Sequence, residues 1–187
     1  MKHKWTKVLL GLWAMAGLAL AQARLMEAST AASKRMAEKV RHELVMMPWY
    51  GVFDHIRFST DGQTVTLMGE VLRPTLRSEA ENRVKAIEGV ERVDNQICVL
   101  PLSPMDDRIR LAAYQTLFSN PMLSRYSWGA LPSLHLIVEH GNLTLYGTVA
   151  SEAERNVAGI LAGGIPGVFT VKNEITVQAP REAKRKS

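Results

Sequence analysis

Residues 65–101 can be laid over residues 143–179 at a constant spacing, without a gap, and thirteen of the 37 positions are identical. The matches include Thr66, Leu67, Gly69, Val71, Gly89, Val90, Val93, Asn95, Ile97 and Val99. Their twins are Thr144, Leu145, Gly147, Val149, Gly167, Val168, Val171, Asn173, Ile175 and Val177. Upstream, Val40, Leu44 and Pro48 match Ala113, Leu117 and Pro121 at a spacing five residues shorter, which places an insertion in the second copy around Trp128-Gly129-Ala130-Leu131-Pro132. A repeat of this kind constrains the fold more than composition does: the chain must build one unit twice.

Each unit reads as helix, strand, strand, helix, strand. Met36, Val40 and Leu44, like Ile109, Ala113 and Leu117, recur every four residues along one helix face, and Pro48 and Pro121 stop those helices. Ile56 and Phe58 alternate with polar neighbours before the Asp61-Gly62 turn, and Val65, Leu67, Gly69 and Val71 return on one side of a strand. Ser151 and Glu154 form a capping-box pattern, and Pro74 occupies the equivalent first turn. Gly89 and Gly167 are expected to close the second helix, and Gly69 and Gly147 to let a helix cross near the sheet. Strands buried on both faces would read as unbroken apolar runs. The alternation here predicts an α/β (α+β) fold of two α-β-β-α-β modules, each a three-stranded mixed sheet with two helices on one face. The modules are expected over 33–101 and 105–178.

The N-terminus reads as an address. Lys2, Lys4 and Lys7 precede an uncharged apolar run over residues 8–20 and then Ala21-Gln22-Ala23, which predicts a secretory signal peptide over residues 1–23, cut after Ala21 or Ala23. The run is shorter than the ~20 residues a spanning helix needs. The periplasm is the expected location. Without those three lysines, the 23 basic residues fall to 20 against 18 acids, so the net charge of +5 becomes +2. Export and near-neutrality exclude nucleic acid as a partner and deprive the protein of cytosolic ATP. The single cysteine, Cys98, excludes an internal disulfide and a cysteine-rich zinc site. Residues 179–187 form a basic tail.

The pattern Val65-Thr66-Leu67-Met68-Gly69-Glu70-Val71, a helix, and then Gly89-Val90-x-x-Val93-x-Asn95-x-Ile97-x-Val99 resembles the BON domain of bacterial periplasmic and outer-membrane proteins of the osmotically inducible type. Leu143 to Val149 and Gly167 to Val177 repeat it. The resemblance covers nearly all of the mature chain. It implies a non-catalytic module of the cell envelope, without cofactor, that binds phospholipid surfaces or envelope partners and serves in envelope or osmotic stress protection. The insertion near Trp128 and the glycine-rich Val157–Val168 stretch depart from the pattern. The alternative reading is a periplasmic protein-interaction adaptor with no lipid role.

Catalytic chemistry finds little support in the sequence. His42, His55, His135 and His140 fall in no metal-binding spacing, and no nucleophile elbow, phosphate loop or dinucleotide fingerprint is present. Cys98 has the opposite parity to its apolar neighbours and faces away from the helices, where a neighbour covers it or a second chain pairs with it as a disulfide-linked dimer. The candidate lipid- or partner-binding residues are aromatic, apolar or basic. Trp49, Tyr50 and Phe53, then Tyr126 and Trp128, cluster in the loops after each first helix, where such rings serve a membrane interface or lid a small core. Ile160 falls off the buried stripe of its helix. Arg181, Lys184, Arg185 and Lys186 would add attraction to anionic lipid.

Overall fold

The computed structural model describes residues 30–127 and 132–178. The segment expected to be a signal peptide, Trp128 and the basic tail with Arg181, Lys184, Arg185 and Lys186 lie outside the described residues. Helix α1 covers 30–45, and β1 (His55–Asp61), β2 (Thr64–Val71), α2 (Pro74–Lys85) and β3 (Arg92–Val99) complete the first module. The second comprises α3 (Pro104–Phe118), a 3-10 turn (Ser124–Ser127), β4 (Leu134–Glu139), β5 (Asn142–Val149), α4 (Glu152–Gly163) and β6 (Thr170–Val177). Both modules therefore follow the α-β-β-α-β order that the repeat predicts.

The sheets are three-stranded and mixed, in the orders β1-β2-β3 and β4-β5-β6. A tight turn joins the antiparallel hairpin in each, whereas the parallel third strand requires a crossover, which α2 and α4 supply. The register repeats with the sequence: Phe58 pairs with Leu67, and Leu136 with Leu145. Each module has its own core. Val40, Leu44, Val65, Leu67, Ala80 and Ile97 fill the first, and Ile109, Leu117, Leu136, Leu145, Ala158 and Ile175 the second. Among the described residues no helix is long and apolar enough to cross a membrane.

Three glycine expectations need correction. Gly69 and Gly147 do not make room for a helix. A Cβ on either would stand 2.0 Å from the His55 carbonyl oxygen or 2.1 Å from that of Ser133, so it is the neighbouring strand that requires glycine, at φ +121° and +130°. Gly89 and Gly167 do not close their helices, which end at Lys85 and Gly163. They sit in the following turn with φ 94° and 88°. The helix ends earlier because Ala86 and Gly164 already act as the caps.

The repeated asparagine has a local job. Asn95 on β3 donates its amide to the Arg77 carbonyl of α2, 3.0 Å away, while its own oxygen accepts from the Ile97 N–H. Asn173 makes the same two bonds, to the Arg155 carbonyl and from the Ile175 N–H. One side chain thus pins each crossover helix to its strand. The glycine at position 159 of α4 follows from this: a Cβ there would meet Asn173 Nδ2 at 2.9 Å, whereas one on Gly163 meets nothing.

Candidate functional site

The segment leaving α1 does not stay in its own module. Tyr50 to Asp54 lies along the outer edge of β4, where the Val52 carbonyl accepts from the Leu136 N–H at 2.7 Å. Val52 and Phe53 pack against the second core, and the Phe53 ring lies 6.3 Å from that of Tyr114 on α3. Asp54 is buried, accepts from the Gly51 and Leu72 N–H groups, and faces Arg73 and Arg110. Burial raises its carboxyl above the usual aspartate range, and those hydrogen bonds and charges oppose the rise.

Beside this segment the helix-free faces of the two sheets meet through aromatic rings. His55 stacks on Tyr146 with centroids 4.1 Å apart, and His135 lies 5.4 Å from His55 and 5.6 Å from Tyr50. His135 Nδ1 is 3.3 Å from the Gly51 carbonyl oxygen, and Arg57 sits over the Tyr146 ring at 5.9 Å. Burial pushes His55 down to about 4, helped by the charges of His135 and Arg57. Burial lowers His135 as well. Both rings are therefore neutral at pH 7. Burial also raises Glu70, the cross-strand partner of His55, and one of its carboxylate oxygens is buried with no hydrogen-bond partner among the described residues.

Candidate residues named from the sequence separate into two groups. Tyr50 and Tyr126 are internal struts. The Tyr50 hydroxyl accepts from the Ile56 N–H, and burial pushes it up to about 12. The Tyr126 hydroxyl donates to Glu154 Oε2, 2.9 Å away, and accepts from the Ala150 N–H. Glu154 also pairs with Arg125 and closes the capping box with Ser151. Burial favours the neutral acid of Glu154, but the hydrogen bonds of Tyr126 and Ser151, with Arg125 alongside, outweigh it and hold the carboxyl below the usual range.

Trp49 and Ile160 form the second group, each 76% exposed. Trp49 is held outward by a left-handed backbone, φ 69°, which a bulky residue adopts only where its surroundings fix it. Arg73 lies over its ring at 5.3 Å, and Met46 is exposed three residues earlier. Cys98 is exposed on β3, so no neighbour covers it, contrary to that expectation. No group of three His, Cys, Asp or Glu side chains able to hold a metal occurs among the described residues.

The sequence reading missed the junction. Val52, His55, His135, Tyr146 and Arg57 were not singled out as its members, because nothing local to any of them marks a contact across modules. The available signal was the Trp49–Phe53 cluster, more apolar than a loop requires.

Residues 32–101 and 122–179 match the model of a family described as BON domain, well over half of the chain. No curated protein matches the sequence. Among solved structures, the chain is similar to CdsD, a structural protein of the type III secretion system of Chlamydia trachomatis. Identity is 13%, 79% of this chain and 94% of that chain are covered, and the TM-score is 0.34. The C-terminal domain of the same protein matches with 13% identity, coverage of 76% and 96%, and a TM-score of 0.27.

Proposed function

The chain belongs to the BON domain family, and from that premise we propose that it is an exported, non-catalytic binding protein of the cell envelope that engages anionic phospholipid surfaces. One observation carries this reading: Trp49 is strained into an outward position with the Arg73 guanidinium on its face and Met46 close by in sequence. A tryptophan ring belongs at the headgroup level of a bilayer, and a guanidinium beside it meets phosphate. The Trp49 ring is not needed for a core, so its exposure is unexplained by stability. Ile160 on α4 adds a second exposed apolar group.

Sedimentation with vesicles tests the proposal. The purified protein is expected to pellet with phosphatidylglycerol-rich vesicles and not with neutral ones, more weakly as salt rises. Trp49→Ala and Arg73→Ala should each reduce the bound fraction several-fold. No pelleting with either vesicle at low and moderate salt removes the phospholipid reading. A protein-interaction adaptor is the second reading, and a groove on the first module favours it.

A further inference from the structure

Because the modules are repeats, each position in one has a twin in the other, and one pair of twin grooves is treated differently. In the second module the groove between α3 and β4 is filled by the Tyr50–Asp54 segment, whose Val52 carbonyl takes the Leu136 N–H. Phe58 of β1 is the twin of Leu136. Ile56 donates its N–H away from β2, to the Tyr50 hydroxyl, so by the alternation of an antiparallel ladder the N–H groups of Phe58 and Thr60 also point outward. Neither amide has a partner outside the sheet among the described residues. Burial records the difference. Leu134, Leu136 and Val138 are 1%, 0% and 0% exposed, while their twins Ile56, Phe58 and Thr60 are only half-buried. A cavity of about 540 Å³ remains between α1 and β1, floored by Leu44, Val45, Ile56 and Phe58 and edged by Arg41 and Arg57.

We propose that this groove receives a short, partly acidic turn segment of a partner protein, which docks on the edge of β1 as Tyr50–Asp54 docks on that of β4. The filled twin shows the shape of the occupant: a turn closed by the Asp54 N–H on the Gly51 carbonyl, which offers the Val52 carbonyl to the edge strand and packs apolar side chains against the core. Such docking takes its register from one main-chain bond and its specificity from the pocket beside it. Arg41 specifies charge, since the Arg57 guanidinium is held over the Tyr146 ring. Arg41 is the twin of Tyr114, which meets the Phe53 ring, and Arg57 is the twin of His135, which meets the Gly51 carbonyl. A carboxylate in the place of Phe53 would therefore face Arg41. An acyl chain could fill the apolar floor, but it would leave the Phe58 amide without an acceptor. This site is separate from Trp49 and stands or falls independently of the phospholipid reading.

The test uses the purified protein and two synthetic nine-residue peptides: the chain's own residues 48–56, and the same sequence with Phe53→Glu. The glutamate peptide is expected to bind at least about ten-fold more tightly, the worth of one charge-assisted hydrogen bond. Bound peptide should slow hydrogen exchange at the Phe58 amide. Arg41→Glu should abolish the preference and leave the fold intact, as judged by the amide spectrum. The proposal is overturned if neither peptide binds, if binding leaves that amide unprotected, or if Arg41→Glu keeps the preference. It is overturned equally if phosphatidylglycerol micelles, and not the peptides, occupy the groove.

Discussion

Asn95 and Asn173 show how a single polar side chain on an otherwise apolar strand face can be structural. Each satisfies both ends of its amide against backbone, so replacing Asn173 with alanine leaves the Arg155 carbonyl and the Ile175 N–H without their side-chain partner. A loss of about 1–2 kcal/mol in urea unfolding is expected. Glycine positions in the second module divide sharply. Gly147→Ala should cost more than about 2 kcal/mol, because its Cβ has no space beside the Ser133 carbonyl and its φ is positive. Gly163→Ala, in open space at the end of α4, should gain about 0.5–1 kcal/mol. Gly159→Ala forfeits the same gain by pushing on Asn173. Measured unfolding midpoints in the order Gly163→Ala, wild type, Gly147→Ala check the series; a stabilised Gly147→Ala would refute the close strand approach.

At the scale of elements, the start of α4 is tied to the 3-10 turn by one carboxylate that serves Ser151, Ala150, Tyr126 and Arg125 together. Tyr126→Phe should therefore cost about 1–2 kcal/mol and fray the first turn of α4 without disturbing the sheet, which amide exchange at residues 152–155 would report. The periodicities made the helices, strands and capping box legible, because each depends on residues within a few positions of one another. Helix ends were placed late, at Gly89 and Gly167, since a turn glycine and a terminal cap carry the same local signature. The role of Tyr126 was half legible: its ring marked it, but its hydroxyl partner lies 28 residues away. Gly69 and Gly147 were recognised as backbone positions yet assigned the wrong neighbour, because sequence shows that space is needed and not which element needs it.

At the scale of the whole molecule, the junction is the feature that pattern could not reach. His55 and Tyr146, 91 positions apart, meet only once both modules exist. The ring cluster also sets a dependence on pH. His55 and His135 titrate lower in the folded state than in the unfolded one, so the unfolded chain binds more protons as pH falls. Their contribution is fully present above about pH 6.5 and is lost as pH drops through the folded value of His55, about 4. Arg57 and His135 face His55 as charges that disfavour its protonation, while Glu70 opposite it and Asp54 at the junction shift the other way through burial and offset part of the loss. His55→Phe keeps a ring on Tyr146 and removes the proton. Its unfolding free energy should fall less than that of the wild type between pH 7 and pH 4.5; parallel curves would show that this histidine does not report the junction. The docking of one module's post-helix segment onto the next module's edge strand has a direction, from N-terminal to C-terminal. Any tandem array assembled by that rule, however many units it contained, would seal every berth except the one on its leading unit, so lengthening the array would extend its reach while its valency at that berth stayed at one.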